Sequence, residues 1–178
     1  NEIKPVAANI DQILIVIAPY PEPHANLIDR YLVASEVVGI EPTIVLNKED
    51  LLREDQSLRN SMDELLQLYP TLGYRVLHTS TKDGGLELLK DTLRARTSIF
   101  VGQSGVGKSS LVNALLPAAG LRTGALSPTT LKGTHTTTTA QLEHLDCGGQ
   151  LIDSPGIREF GLWHRNRYQG ENGFRECM

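Results

Sequence analysis

Gly102-Gln103-Ser104-Gly105-Val106-Gly107-Lys108-Ser109-Ser110 is the run whose residue types and spacing carry the most chemistry. Its first eight residues fit G-x-x-x-x-G-K-[ST]. Glycines at these positions let a strand-to-helix loop bend around a phosphate chain with its N–H groups turned inward. The helix that follows adds unpaired N–H groups and the positive end of its dipole. In such a loop the Lys108 ammonium spans the β- and γ-phosphates, which makes it both a binding and a catalytic group, and the Ser109 hydroxyl can ligate Mg²⁺. All nine residues are therefore assigned to a nucleotide phosphate site. Four fixed positions arise by chance in only about one chain in a hundred of this length, and the flanks agree: Ile99-Phe100-Val101 before, Leu111, Leu115 and Leu116 after.

Asn47-Lys48-Glu49-Asp50 follows the apolar run Ile44-Val45-Leu46. N-K-x-D suits guanine, since one carboxylate, Asp50, can accept from both N1–H and the exocyclic amine. Adenine offers no such pair of donors, and an unsatisfied buried carboxylate discriminates strongly against it. Asn47 can address the N7/O6 edge or brace the phosphate loop, and the Lys48 stem can lie over the base. Thr79-Ser80-Thr81-Lys82 can supply a backbone N–H to guanine O6, although an ordinary strand-to-helix turn explains that run equally well. Four residues, Asn47 to Asp50, and three, Ser80, Thr81 and Lys82, thus join the nucleotide contacts.

Asp153-Ser-Pro-Gly156 fits D-x-x-G, in which the aspartate holds Mg²⁺ and the Gly156 N–H meets the γ-phosphate. Gly133-Thr-His135-Thr136-Thr137-Thr138-Thr139 ends a long stretch rich in Thr, Ser, Pro and Gly. A GTPase needs a loop threonine that reaches Mg²⁺ and γ-phosphate, and Thr137 is taken as that residue. Many GTPases place a glutamine directly after D-x-x-G to orient the attacking water; Ile157 stands there instead. His135 is the expected replacement, against the plainer alternative of a loop histidine that packs or faces solvent.

These motifs need strands that end beside one another. Ile13–Ala18, Pro42–Leu46, Tyr74–His78 and Ser98–Val101 are short, apolar and β-branched, and the first reads as a strand buried on both faces. Helical spacing covers about 24–38, 55–69, 86–95 and 108–116. Gln141–Asp146 and Gln150–Asp153, joined by Cys147-Gly148-Gly149, read as a hairpin. The alternation predicts an α/β sheet of six strands, one antiparallel, with helices on both faces. The motif order is rotated: N-K-x-D precedes the phosphate loop, and D-x-x-G follows it. Rotation is permissible because domain termini tend to lie close together.

At 178 residues and a formal charge of −4, the chain suits one globular domain and disfavours a dominant electrostatic grip on nucleic acid. Two cysteines make no disulfide framework. The longest apolar run, Ile13–Ala18, is too short to cross a membrane, and residues 1–5 lack a signal peptide's apolar core. His24, His78 and His144 read as ordinary histidines, and Arg165, Arg167 and Arg175 as a solvated tail.

The N-K-E-D, phosphate-loop and G-T-H-T-T-T strings, together with Asp153-Ser-Pro-Gly-Ile-Arg-Glu-Phe-Gly-Leu-Trp163, give a chain that resembles the circularly permuted, ribosome small-subunit-dependent GTPases of bacteria over roughly residues 1–164. The resemblance implies a three-layer P-loop GTPase domain over 1–161, with 162–178 a linker or remnant of a C-terminal zinc domain. It implies GTP/GDP and Mg²⁺ as ligands, and the small ribosomal subunit and its rRNA as partners. GTP hydrolysis stimulated by that subunit, late in its maturation, is the implied activity, in a cytoplasmic, monomeric protein. Members usually carry an OB fold and a zinc domain. Cys177 would be one former zinc ligand, but one thiolate cannot hold a structural zinc, so the chain reads as part of a longer protein. The alternative is a nucleotide-dependent regulator or sensor GTPase that does not act on ribosomes.

Overall fold

Ile13, Ile15 and Ile17 enter one hydrophobic core while Leu14, Val16 and Ala18 enter another. That alternation is what a continuously apolar strand achieves when helices cover both faces of its sheet. The computed structural model describes residues 10–116 and 141–153. Among these, six strands form one sheet: β1 (Gln12–Ile17), β2 (Glu41–Leu46), β3 (Arg75–His78), β4 (Thr97–Val101), β5 (Gln141–His144) and β6 (Gln150–Asp153), in the order β3-β2-β1-β4-β6-β5. β5 alone runs antiparallel, against β6. The expected architecture, mostly parallel and flanked by helices, is the observed one.

One core gathers the isoleucines of β1 with Ile44 and Leu46 of β2 and with α1 (Ala25–Val38), through Ile28, Tyr31 and Leu32. Met62 and Leu66 of α2 (Gln56–Leu66) and Tyr69 of α3 (Leu68–Thr71) complete it. The other core packs Leu89 and Leu93 of α4 (Glu87–Leu93) and Leu111 and Leu115 of α5 (Lys108–Leu115) against Leu14, Val16 and Val45. Local chemistry sets the helix ends. Asp55 caps α2 by accepting the Leu58 N–H at 2.9 Å. Gly39 ends α1 in a left-handed conformation, φ 72°.

The helix expected over 55–69 is instead two. α2 stops at Leu66, Gln67 bridges, and α3 carries Pro70 as its third residue. Proline lacks the N–H that would continue the α2 ladder to Leu66, so the helix restarts rather than runs through. The apolar spacing persists across the break and Tyr69 still reaches the core. The other element bounds lie within two residues of expectation, the first hairpin strand ending at His144 rather than Asp146.

The sheet reverses its winding between β1 and β4. β2 and β3 extend it to one side, β6 and β5 to the other. Crevices for ligands form at the carboxyl ends of strands at such a switch point. At the opposite end Gln12, fully buried, ties the foot of the sheet. Its Nε2 donates to Thr92 O and Ser98 Oγ, both at 2.8 Å, and its Oε1 accepts from Arg96 at 3.2 Å.

Candidate nucleotide site

The phosphate loop leaves β4 at the switch point, and its shape requires glycine. Gly102 has φ 144° and Gly107 φ 94°. A Cβ on Gly102 would strike the Val16 carbonyl oxygen of β1, and one on Gly107 would strike the Asn47 Nδ2. The backbone thus lies against the neighbouring strand and against the loop after β2. Lys108 opens α5, and its Nζ donates to Gly102 O at 2.8 Å and Gln103 O at 2.6 Å, which holds the ammonium across the mouth of the loop. Leu111 N–H is the first to bond back, to Gly107 O. The earlier N–H groups of α5 follow the usual pattern of a helix start, where anions are favoured. Val106 is buried in the α4/α5 core and anchors the loop, while Ser104, Gly105, Ser109 and Ser110 are exposed and Gln103 is half-buried.

We expect Gly102→Ala to be costly even without ligand. Strain at that φ costs about 1–3 kcal/mol, and the contact is with backbone, which cannot swing aside. The melting temperature should fall by roughly 5 °C or more; a variant that melts with the parent would show that the loop does not lie against β1 as described.

Asn47 is 1% exposed and spends its amide on structure. Its Nδ2 donates to Val106 O at 3.0 Å, and its Oδ1 accepts from Thr79 Oγ1 at 3.2 Å. Of the two roles the sequence leaves open, this is the brace: one side chain joins the ends of β2 and β3 to the phosphate loop. Lys48 adopts a left-handed conformation, φ 61°, and its Nζ donates to Gly105 O at 2.6 Å and Tyr20 O at 3.2 Å. Its stem therefore crosses from the β2 loop to the phosphate loop.

Asp50 lies in a 3-10 helix, Glu49–Leu52. Its Oδ1 accepts from Ser80 Oγ at 2.9 Å and its Oδ2 faces Lys82 Nζ at 3.5 Å. Desolvation pushes the carboxyl upward, yet the Ser80 hydroxyl, the Lys82 charge and a backbone N–H outweigh it and hold Asp50 below the ordinary carboxylate range. It stands ready as an ionised acceptor. Glu49 turns away from Asp50, pairing with His78 Nδ1 at 3.3 Å, while its N–H donates to Thr79 O at 3.1 Å. Thr81 is exposed at the tip of the β3 loop.

Asp153 ends β6, which runs parallel to β4 with Ile152 opposite Ile99, so its backbone reaches the same edge as the phosphate loop. Thr137, His135, Gly156 and Cys177 lie outside the described residues. Among the described residues no three His, Cys, Asp or Glu side chains gather as a metal cluster, and no helix is long and apolar enough to cross a membrane. Sequence reasoning missed most of the partners that hold the site: Tyr20, whose carbonyl accepts from the Lys48 ammonium, and the contacts of Glu49 with His78 and of Arg53 with Asp83. The sequence marks Thr79 within the 79–82 run, but as a turn residue or a backbone donor and not for the hydroxyl that Asn47 accepts.

A family model described as RsgA GTPase matches residues 1–163. The chain belongs to the RsgA GTPase family. Among curated RsgA relatives, the small ribosomal subunit biogenesis GTPase RsgA of Ectopseudomonas mendocina is 61% identical over 177 residues, which is 99% of this chain and 51% of that protein. The protein of the same name from Hahella chejuensis is 58% identical, over 99% and 50%. The chain spans about half the length of the curated relatives it matches. Two solved structures share the fold. YjeQ from Thermotoga maritima superposes with a TM-score of 0.66 at 38% identity, over 85% of this chain and 50% of that one. YloQ, described as a circularly permuted GTPase, gives 0.62 at 34%, over 85% and 46%. The rotated motif order read from the sequence is thus that of the RsgA fold.

Proposed function

We propose that this chain binds guanine nucleotides and hydrolyses GTP, as the nucleotide-handling part of a factor in late maturation of the small ribosomal subunit. The observation that carries the reading is the hydrogen bond from Asn47 to Val106 O, which welds the guanine-type N-K-x-D loop to the phosphate loop. Base and phosphates of one nucleotide then fall between an ionised Asp50 and the Lys108 ammonium. Thr81 N–H, at the loop tip, is the donor for guanine O6. The names of the relatives, small ribosomal subunit biogenesis GTPase, support the ribosomal partner over a regulator acting elsewhere, and that work belongs to the cytoplasm. GTP turnover measured with and without purified small subunits tests it: stimulation is expected, and identical rates would overturn the ribosomal assignment.

Ser109 and Asp153 are the residues that would hold Mg²⁺, with Thr137 from the threonine run; Mg²⁺ would neutralise phosphate charge. The donor set fits that role: the Ser109 hydroxyl stands exposed in the first turn of α5, and Asp153 ends β6 at the same edge of the sheet. Residues 1–161 form the GTPase domain in this reading, and 162–178 with Cys177 lead toward a zinc domain. The protein acts as a monomer, with rRNA as its contact on the subunit.

Ile157 cannot polarise water, so intrinsic hydrolysis is slow and His135 orients the attacking water once the subunit closes its loop over the γ-phosphate. His135→Ala should keep GTP affinity within about twofold while losing about 10²-fold or more of the stimulated rate. Single-turnover hydrolysis with small subunits present decides it; full stimulated turnover in the variant would remove His135 from the mechanism.

A further inference from the structure

Asp50 is held by a closed ring of contacts that runs through two residues no motif includes. Its main-chain carbonyl accepts the Arg53 N–H at 3.3 Å, as the 3-10 helix ends. Arg53 Nη1 pairs with Asp83 Oδ2 at 3.2 Å. The Asp83 N–H donates to Ser80 Oγ at 3.3 Å, and the Ser80 hydroxyl donates back to Asp50 Oδ1. Ser80 Oγ also accepts the Lys82 N–H at 3.2 Å. A hydroxyl has one proton and two lone pairs, so that of Ser80 is fully committed and its direction toward Asp50 is set by the 82–83 backbone.

We propose that Arg53 and Asp83 are positioning residues for guanine selectivity: their ion pair locks the β3 loop onto the Asp50 helix and so aims the carboxylate at the base edge. The proposal rests on reading Asp50 as the guanine acceptor. Arg53 has a second, electrostatic part. It keeps the Asp83 carboxylate occupied. Without it, Asp83 is an unpaired anion next in the chain to Lys82 and competes with Asp50 for that ammonium.

Inosine diphosphate isolates the effect, because it lacks only the exocyclic amine that Asp50 receives. The experiment is calorimetric titration of the purified chain with GDP, IDP and inorganic pyrophosphate. The parent should prefer GDP to IDP. Arg53→Gln and Asp83→Asn should each cut the GDP:IDP preference about twofold to fivefold, the range an exposed ion pair can supply. Pyrophosphate affinity should not move. The charge-reversed double variant, Arg53→Asp with Asp83→Arg, should recover most of the preference. An unchanged preference in both single variants overturns the proposal. So does an equal loss for GDP, IDP and pyrophosphate, which is the mark of a merely structural pair. A parent with no GDP preference would instead overturn the guanine reading of Asp50, and the positioning role with it.

Discussion

Asp50→Asn is expected to weaken GDP and GTP binding by about 10³-fold and to make xanthine nucleotides the better ligands. The Asp50 carboxylate is poised as an acceptor on both oxygens, with Ser80 on one and Lys82 on the other. Each hydrogen bond to a charged group is worth about 1.5–3 kcal/mol, and guanine would lose two, with an amide N–H₂ now facing its donors. Xanthine carries a carbonyl at C2, which that amide can meet. The Ser80 hydroxyl can still reach the Asn oxygen, so the loop keeps its shape and the change reads as specificity. The pH dependence has a defined sign. Only the ionised form of Asp50 accepts both protons, and its ionisation is favoured in the fold. Guanine preference is therefore present above the folded-state value and is lost only as pH falls through it, below the ordinary carboxylate range. Titrating parent and variant with GDP and XDP checks the exchange; an unchanged preference would remove Asp50 from base recognition.

Lys108→Ala and Ser109→Ala should each lower GTP hydrolysis by about 10²–10³-fold, the usual cost of deleting one group aimed at developing charge. The Lys108 ammonium is held across the mouth of the loop by the Gly102 and Gln103 carbonyls. Alanine removes the charge that would face the phosphates. Ser109 stands exposed in the first turn of α5, and its loss should appear mainly as a raised Mg²⁺ requirement. Turnover across a Mg²⁺ series separates the two. If both variants hydrolyse GTP at the parent rate, Gly102–Ser109 is not the phosphate loop.

Much of this was legible because the relevant signals are local. Ile13–Ala18 reads as a doubly buried strand since every residue in it is apolar, and a sheet covered on both sides is what gives each of them a core. The glycines at 102, 105 and 107 announce a backbone that side chains would block. The Pro70 break in the second helix was equally local, but the unbroken spacing of Leu65, Leu66 and Tyr69 masked it. What stayed hidden is what depends on two distant segments meeting. Asn47 carries no mark that its amide belongs to Val106 rather than to a base edge. Arg53, Asp83, Glu49 and His78 are unremarkable surface residues until β2 and β3 bring their loops together, and neither hydrophobic period nor turn chemistry encodes that meeting.

The Asn47–Val106 bond spans 59 residues, with the N-K-x-D loop on the amino-terminal side. On the ribosome that makes it, the chain emerges in that order, at about 5–20 residues per second. For about 3–12 s Asn47 therefore has no carbonyl to grip, and Lys48 lacks the Gly105 oxygen that fixes its ammonium. In the unrotated order the phosphate loop would be made first and wait for its base reader. Here the phosphate loop arrives after the N-K-x-D loop, so the brace between them cannot close until β4 has taken its place beside β1.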